Sequence, residues 1–576
     1  MKTNITFLTV AFMILFFANC SDDPKNSGKE DIEFMSIQNQ KKRILEEFRS
    51  IDQSAKDQGN MMLSSEANSS RAYQPFRNPA ERKSFNGLLD TKLEVAYTTQ
   101  KIWNINKKSS ISVNLRNYES SLVGPTMRIK QSDLLRVKVI NNLPSTGMHD
   151  SPCDPMNTMH HSSVDPCDQV NNKVFNTTNL HTHGLHVSPS DSSDNVLVHI
   201  MPSCEFQNHI QIPGNHPQGT FWYHGHVHGS TAIQVSSGMA GALIVEGGMD
   251  TLQQIKDAEE KIFILQQIPY TEDENGFYGV EDFKNSFGPG SWERGVRQNG
   301  WRTMVNGQTY PIIRMKSGEV QRWRFIHAGV RETIDIHLEE HNLNEIAMDG
   351  IALGTMNRKN SIELQPGYRS DVLIKANEVA EADTLFLIDL ESDAISGLQA
   401  ELESPKIIAI VIISSEKKDM NLPNEGALAM YKPFEPIKDS EVEGNELQTV
   451  HFNIDVSQIP ICFTIDGKPF DMSSPPRKLK LGEANTWTLT SGLANHPYHI
   501  HVNSFEVHSI EHRNGRITEF DPPIWKDTYM VKVGEKVTIR SRYEDFTGDF
   551  VLHCHILDHE DQGMMQLVRI VEEPSS

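Results

Sequence analysis

The chain has 576 residues, 76 of them acidic and 54 basic, which gives a formal net charge of −22 at pH 7. This length is enough for about three to four domains of roughly 150 residues. The mean hydropathy is negative, which excludes a polytopic membrane protein, and the acidic balance disfavours binding to nucleic-acid phosphates. Six cysteines are too few for a disulfide-rich scaffold. The unusual residues are 24 histidines and 22 methionines.

The first 20 residues predict an export signal. An apolar run from Ile5 to Ala18 has the length of a signal-peptide core and is short for a membrane-spanning helix. Cys20 follows this run in a pattern that resembles the lipobox of bacterial lipoproteins, although Asn19 stands where a small residue is usual. We expect a periplasmic or cell-surface protein anchored by lipid at Cys20. The alternative is an ordinary signal peptide with an incidental cysteine.

Residues 21–90 are polar and predict a tether, with one short helix over 37–51 where apolar residues recur at helical spacing. From residue 91 onwards, short β-rich runs alternate with Gly, Pro, Asn and Asp turn signals. This texture predicts an all-β protein built from sandwiches or barrels.

A faint internal repeat divides the β-rich part of the chain. Segment 304–329 parallels 464–492, and 124–142 is a weaker copy. Three copies predict three β-domains, which we place at 91–250, 251–415 and 448–576. A polar, acidic linker over 416–447 precedes the third domain.

Four short segments contain most of the candidate metal ligands: HTHGLH (181–186), WYHGHVHG (222–229), HPYHIHV (496–502) and HCHILDHEDQGMM (553–565). Alternate residues of a β-strand face the same side, so each His-x-His pair predicts two imidazoles on one face. Four such pairs, at 181/183, 224/226, 499/501 and 553/555, predict one polynuclear metal site. Imidazole is a ligand for Cu, Zn, Fe and Ni.

The fourth segment also contains a cysteine that must point away from the two histidines beside it. A cysteine thiolate with two histidines and a weak axial methionine is the ligand set of a blue-copper electron-transfer site. That set is available from His496, Cys554, His559 and Met564. The backbone around Cys554 would then join two metal sites by a short path for electrons.

Residues 93–573 resemble the multicopper oxidase family, which includes laccases, bilirubin oxidases and bacterial copper efflux oxidases. All four segments occur in the family's order, the HCHxxxHxxxGM pattern is highly specific, and GTFWYHGHVHG and WKDT (525–528) support it. The resemblance implies three cupredoxin-like Greek-key β-barrel domains, with copper in the first and third. It also implies four coppers per chain, which couple four one-electron oxidations to the reduction of O2 to two waters.

The resemblance assigns each ligand by its position in the motifs. One type 1 copper would be held by His496, Cys554, His559 and axial Met564. One type 2 copper would be held by His181 and His499. Two type 3 coppers would be held by His183, His224, His226, His501, His553 and His555.

Two carboxylates are candidates for proton delivery, for which a carboxylate is a usual group. Glu560 directly follows His559 and matches the acidic residue that helps deliver protons in relatives of the copper efflux type. Asp194 follows the HTHG motif much as an aspartate does in the family. Because this stretch differs in length from the family's, Asp191 is an alternative.

Residues 145–179 form an insert that the family pattern lacks. It contains Met148, His149, Met156, Met159, His160 and His161. Thioethers favour Cu(I), so one hypothesis is an accessory copper-binding loop. The alternative is a surface loop closed by a disulfide between Cys153 and Cys167. A bridge between Cys204 and Cys462 is a further possibility.

The residues restrict the substrate only weakly. Position 492, four residues before His496, is a glycine, so no carboxylate is available there to bind a cation. Only Met420 and Met430 occur in 415–450, so a methionine-rich cover is absent from this part of the sequence. We therefore expect a laccase-like or bilirubin-oxidase-like enzyme acting on O2 and a phenol or bilirubin-like donor. The alternative substrate is a cuprous or other metal ion, in copper tolerance.

A non-catalytic copper-binding protein is the alternative of another class. It would not need a complete trinuclear ligand set, whereas all ten histidines are present. We expect a monomer that binds no nucleic acid and contacts the membrane only through its N-terminal lipid.

Overall fold

The computed structural model describes residues 36–57, 72–145, 174–288, 290–391, 404–432 and 434–572, with positions 167, 169 and 170. The predicted signal peptide, Cys20 and the Met/His part of the insert lie outside these residues. Within the described ranges, no helix combines the length and apolar character needed to cross a bilayer.

The first domain contains strands β1 (Glu81–Lys83), β2 (Leu88–Asn104), β3 (Ser109–Tyr118), β4 (Thr126–Lys130), β5 (Leu134–Asn141), β6 (His181–His183), β7 (Glu205–Gln211), β8 (Thr220–His224) and β9 (Ala240–Glu246). One sheet has the order β1-β4-β9-β8-β6, and the strands β3-β2-β5-β7 belong to the other. Buried and partly exposed residues alternate along β5, as expected for a strand with one face on a core.

The second domain contains β10 (Glu259–Gln267), β11 (Thr271–Glu272), β12 (Tyr278–Gly279), β13 (Thr303–Val305), β14 (Ile312–Ser317), β15 (Val320–His327), β16 (Ile334–Leu338), β17 (Leu343–Met348), β18 (Ile351–Lys359), β19 (Ile362–Leu364), β20 (Arg369–Lys375), β21 (Asp383–Asp389) and β22 (Lys406–Lys417). Its sheets have the orders β13-β10-β15-β20-β17-β18 and β14-β22-β21-β16-β19. The hairpin β11–β12 instead pairs with β3, so it extends a sheet of the first domain beyond the predicted boundary at 250.

The third domain contains β23 (Gln448–Asp455), β24 (Cys462–Ile465), β25 (Arg477–Lys480), β26 (Ala484–Ser491), β27 (His496–Ile500), β28 (Phe505–Glu511), β29 (Ile517–Lys526), β30 (Thr528–Val531), β31 (Lys536–Arg542), β32 (Gly548–Cys554) and β33 (Met565–Val571). Its sheets have the orders β24-β23-β26-β31-β28-β29 and β25-β33-β32-β27-β30. Three two-sheet domains, each with its own apolar core, confirm the predicted all-β, cupredoxin-like fold.

The helices lie around the sheets, and all of those described are short except the first, which has 21 residues. They are α1 (Ile37–Asp57), α2 (Thr231–Ser236), α3 (Gln253–Lys256), α4 (Phe283–Phe287), α5 (Ser291–Arg294), α6 (Glu425–Leu428), α7 (Asp439–Val442) and α8 (Leu557–Asp561). Single turns of other helical types occur at Gly248–Thr251, Gly295–Asn299 and Ala429–Tyr431.

Helix α1 corrects the prediction of a tether over 21–90 for the residues that the helix occupies. It is longer than the predicted helix and packs on the second domain, where Ile44 is buried beside Ile388 and Ile407. Lys41 pairs with Glu339, and β1 is hydrogen-bonded to β4. The apolar face of α1 packs on a β-sheet of the second domain, so the helix forms part of the folded protein.

The disulfide pairing also differs from the predicted possibilities. Cys167 is bonded to Cys462, 295 residues away, with a Cα–Cα distance of 4.6 Å. Both a Cys153–Cys167 loop and a Cys204–Cys462 bridge are therefore wrong, although Cys204 is in a disulfide. The end of the insert lies against the third domain, where the Gln169 side-chain amide donates to the Phe470 carbonyl at 3.0 Å.

Candidate metal centre

Strand pairing brings the four histidine segments together where the first and third domains meet. In the first domain, β6 runs antiparallel to β8 and places His181 opposite His224. In the third, β27 runs antiparallel to β32 and places His499 opposite His553. Only the 181/183 pair lies wholly within a strand, since the other three pairs occupy strand ends.

Eight imidazoles form one buried cluster across the domain interface. The rings of His181 and His501 stack with centroids 3.9 Å apart, and those of His183 and His499 do the same. Each stack joins the first domain to the third. All eight side chains are buried: His181, His183, His224, His226, His499, His501, His553 and His555.

The cluster contains three groups of nitrogens able to hold a metal ion, each with its ligand atoms within 4.8 Å of one another. The groups are His181, His183 and His499, then His183, His224 and His555, then His226, His501 and His553. Members of one His-x-His pair can belong to different groups, as do His553 and His555. The predicted pairs therefore surround the site from several sides.

Nitrogen atoms without a protein partner face the interior of this cluster. The Nε2 atoms of His181, His224 and His499 are buried without a hydrogen-bond partner. Their Nδ1 atoms are occupied, since that of His224 donates to the Gly225 carbonyl and that of His499 to the Asp527 carbonyl. Buried polar atoms are rarely left unpaired, so these orphaned nitrogens fit metal coordination.

The electrostatics keep the imidazoles in their metal-binding form. Burial, and then the neighbouring histidines, lower the pKa of His181, His226 and His553 well below the usual value. Burial lowers the pKa of His224 to about 3 and that of His499 to about 4. Neutral imidazole is the form that ligates a metal.

The two candidate carboxylates both contact the cluster. Asp194 lies 3.1 Å from Nδ1 of His181, and burial raises the pKa of Asp194 to about 7. The alternative, Asp191, is exposed and its carbonyl accepts a bond from Asn195.

Glu560 lies between two of the histidines. Its oxygens are 3.4 Å from Nδ1 of His226 and 3.3 Å from Nδ1 of His553. The Thr231 hydroxyl donates to Glu560 at 3.2 Å. Burial, with the nearby carboxyl of Asp561, raises the pKa of Glu560 well above its usual value.

A second site lies beside the cluster. Nδ1 of His496 is 3.3 Å from the Cys554 sulfur and 3.4 Å from Nδ1 of His559, and these three residues form a fourth candidate metal group. Met564 is fully buried in the same core, and its carbonyl accepts from the Cys554 amide at 3.1 Å. Cys554 is the one free cysteine among the described residues.

Sequence reasoning missed two contributors to these sites. The WKDT motif was noted without a role, yet its Asp527 lies 3.3 Å from Nε2 of His183. Arg369, from the second domain, pairs with Asp527. Only the motif itself marked Asp527, and no local pattern marks Arg369.

Comparison with known proteins gives consistent matches to copper oxidases. Three family models, each described as multicopper oxidase, match residues 155–249, 264–399 and 440–574. The chain is 25% identical to multicopper oxidase mco of Staphylococcus aureus, over 80% of this chain and 84% of that one. It is 24% identical to a laccase of Bacillus subtilis (strain 168), over 80% of this chain and 90% of the relative.

Solved structures show the same fold. A multicopper oxidase from Campylobacter jejuni, described as a metallo-oxidase, aligns with a TM-score of 0.66 and 21% identity, covering 88% of this chain and 96% of that one. A multicopper oxidase from Pediococcus acidilactici aligns with a TM-score of 0.65 and 20% identity, covering 88% and 93%.

Proposed function

Because this chain belongs to the multicopper oxidase family, and so is a copper oxidoreductase, we propose that it couples four one-electron substrate oxidations to the reduction of O2 to two waters. The observation that carries this proposal is the adjacency of the two sites. Cys554 belongs to one site, and its two chain neighbours, His553 and His555, belong to different groups of the other. One peptide unit on each side of Cys554 therefore connects the two sites.

The four candidate groups support a proposal of four copper ions per chain. We assign type 1 copper to His496, Cys554, His559 and axial Met564. We assign type 2 copper to His181 and His499. We assign the type 3 pair to His183, His224, His226, His501, His553 and His555. When bound, copper supplies one-electron chemistry at the first site and O2 reduction at the second.

Side chains of the protein itself would deliver protons to the histidine cluster and hold the proton-delivering groups in position. Burial, with the nearby carboxyl of Asp561, raises the pKa of Glu560 and so favours the protonated form of this carboxyl beside His226 and His553. We assign Glu560 to proton delivery at the type 3 side, with the Thr231 hydroxyl fixing one of its oxygens. Asp194 would serve the type 2 side through Nδ1 of His181.

Electrons would enter through one of the two type 1 histidines, His496 or His559. His559 is 7% exposed, whereas His496 and Cys554 are fully buried. The Leu493 carbonyl accepts from Nε2 of His496 at 3.0 Å, and Leu493 as a whole residue is 40% exposed. This apolar approach supports a laccase-like or bilirubin-oxidase-like donor, and the resemblance to laccases supports the same range.

A metal-ion substrate is the second candidate, and one observation supports it. The insert is bonded through Cys167 to Cys462, and the next residue, Phe463, packs on His559 with ring centroids 4.7 Å apart. The insert, whose sequence contains methionines and histidines, is thus anchored beside the electron-entry ligand.

The Cys554→Ser variant tests the proposed chemistry. Copper-loaded wild-type protein should be blue and consume O2 with a phenolic donor, because a cysteine thiolate bound to Cu(II) absorbs intensely. Cys554→Ser should be colourless and inactive, with an unchanged circular dichroism spectrum. A blue Cys554→Ser protein would refute the type 1 assignment, and blue wild-type protein without O2 uptake would favour a non-catalytic copper protein.

A triple variant separates the two substrate classes. Replacing Met148, Met156 and Met159 by Leu removes thioethers and leaves every cysteine in place. If Cu(I) is the substrate, kcat/KM for Cu(I) should fall while that for phenols persists. Equal values for wild type and variant on both substrates would exclude these thioethers from catalysis and leave the phenol oxidase as the proposal.

We also propose that the protein is exported, anchored by lipid at Cys20, and monomeric. The polar residues that follow Cys20 would space the folded body from the membrane. Stable anchoring needs more than one lipid chain. Wild type should fractionate with membranes, and Cys20→Ala should release active protein or stall its processing. Wild-type protein found wholly in the soluble periplasmic fraction would refute the anchor.

A further inference from the structure

The second domain contributes none of the proposed copper ligands, yet one of its arginines pairs with a carboxylate that contacts the histidine cluster. Arg369 is fully buried at the start of β20. Its guanidinium donates to Asp527 of the third domain through both nitrogens, Nη1 to Oδ1 at 2.8 Å and Nη2 to Oδ2 at 2.6 Å. Nε donates to the Thr220 carbonyl of the first domain at 3.2 Å. All three domains therefore meet at this guanidinium.

Asp527 in turn contacts two histidines of the cluster, His499 through its backbone carbonyl and His183 through its carboxylate. Its Oδ1 lies 3.3 Å from Nε2 of His183, and the Thr528 hydroxyl donates to the same oxygen at 2.9 Å. Nδ1 of His183 points the other way, 3.3 Å from Nε2 of His555. His183 is thus turned relative to His181, His224 and His499, whose Nε2 atoms are the ones left without partners.

We infer that Asp527 and Arg369 are positioning residues for the trinuclear copper centre. Asp527 accepts the proton on Nε2 of His183, which leaves the lone pair of Nδ1 directed at copper, and Arg369 holds Asp527 in place. This inference rests on the proposed function, because it needs copper at the cluster. It gives the second domain a part in assembling a metal site to which it contributes no ligand.

The surroundings of the Asp527 carboxylate make this role specific. The Arg369 guanidinium and the Thr528 hydroxyl donate to it, and in the inferred tautomer Nε2 of His183 donates to it as well. An amide at position 527 would turn its NH2 group towards one of these donors. If that group faced His183, Nε2 would have to accept, and the ring proton would move to Nδ1, where it blocks copper.

The planar fork of arginine is also needed. The two parallel hydrogen bonds from arginine fix both the position and the plane of the carboxylate, whereas the ammonium group of lysine acts only as a point charge. Gly367, two residues before Arg369, packs against the His555 ring, where a Cβ would come within 3.1 Å. One short segment of the second domain thus touches both an orienting carboxylate and a second histidine of the cluster.

The test compares Asp527→Asn and Arg369→Lys with a matched control, Arg324→Lys. Arg324 is equally buried and pairs with Asp371 at 2.8 Å, and neither residue contacts the histidine cluster. Each holoenzyme variant is loaded with copper and equilibrated against graded chelator. Copper per chain is then measured, together with the near-ultraviolet band of the type 3 pair relative to the blue type 1 band. Thermal midpoints of the metal-free proteins report the structural effect.

We expect Asp527→Asn to bind cluster copper about 10- to 100-fold more weakly, the usual effect of removing a group that orients a ligand. Its blue band should persist while the near-ultraviolet band falls, and Arg369→Lys should lie between it and wild type. Arg324→Lys should lower the thermal midpoint without changing the ratio of the bands. An unchanged ratio and copper affinity in Asp527→Asn would overturn the inference, as would the same loss in Arg324→Lys. Wild-type protein that takes up no cluster copper would instead refute the proposed function.

Discussion

Gly184, the residue after His183, offers the sharpest structural test of how the three domains meet. Its φ is +85°, and a Cβ there would lie 2.4 Å from both Arg369 Nη2 and Asp527 Oδ2. Gly482 has nearly the same backbone conformation, with φ +83°, but a Cβ there meets nothing within 4 Å. The two alanine variants therefore share the backbone penalty and differ in the clash.

The expected magnitudes follow from these contacts. A left-handed backbone conformation costs an alanine about 1–2 kcal/mol relative to glycine, which is the whole effect expected for Gly482→Ala. Gly184→Ala must in addition force apart two buried, oppositely charged groups. Removing one partner of a buried ion pair destabilises by about 3–5 kcal/mol. Gly184→Ala keeps both partners and displaces them, so it should be the more damaging variant by up to about 3 kcal/mol.

Urea denaturation of the metal-free variants, followed by tryptophan fluorescence, measures this difference. The midpoint of the transition should fall much further for Gly184→Ala than for Gly482→Ala. Copper retention should fall as well, because the displaced pair touches His183. Equal midpoints for the two variants would show that Gly184 does not pack on the Arg369–Asp527 pair, and the proposed junction would then be wrong.

Three further outcomes are expected. Met564→Leu should keep the blue colour but raise the reduction potential of type 1 copper, since a weak axial donor is lost; an unchanged or lower potential in potentiometry would argue against axial Met564. Glu560→Gln should slow reoxidation by O2 about 100-fold or more without slowing type 1 reduction, because a general acid is removed. In stopped-flow, the buried control Glu506→Gln should reoxidise normally, and normal reoxidation of Glu560→Gln would remove it from the relay. Burial opposes ionisation of Glu260, but the guanidinium groups of Arg324, Arg128 and Arg322 together outweigh it and hold the pKa of Glu260 well below the usual value. Because that pKa is lowered by folding, stability should fall as pH drops below about 5, and Glu260→Gln should show a shallower loss in thermal melts at acid pH.

Local pattern in the sequence determined the fold class and most of the chemistry. Short runs between turn residues predicted an all-β chain because strand formation depends on neighbouring residues. The histidine segments predicted metal sites because spacing within a strand decides which side chains share a face. The expectation that residues two apart share one face was incomplete. His224 and His226 are two residues apart, yet they belong to different candidate metal groups. At a strand end the backbone turns, and the simple alternation stops.

The N-terminal region shows a second limit of sequence reasoning. The polar composition of residues 21–90 predicted a tether, yet α1 buries Ile44 on the second domain. Whether an amphipathic helix is free or packed depends on a complementary surface elsewhere, here the cluster around Ile388 and Ile407. The helix itself was predictable from apolar spacing, whereas its docking was not.

Only the tertiary structure decided which distant residues meet. The sequence contains the cysteines but not the Cys167–Cys462 pairing, which depends on the insert reaching the third domain. In the same way, Arg369 and Asp527 are 158 residues apart and become partners only where three domains meet. Side chains that bind a metal follow short motifs because neighbouring ligands must share geometry. The groups that orient those ligands can come from any part of the chain that packing brings within hydrogen-bond distance, so a residue such as Arg369 has no local pattern that marks it.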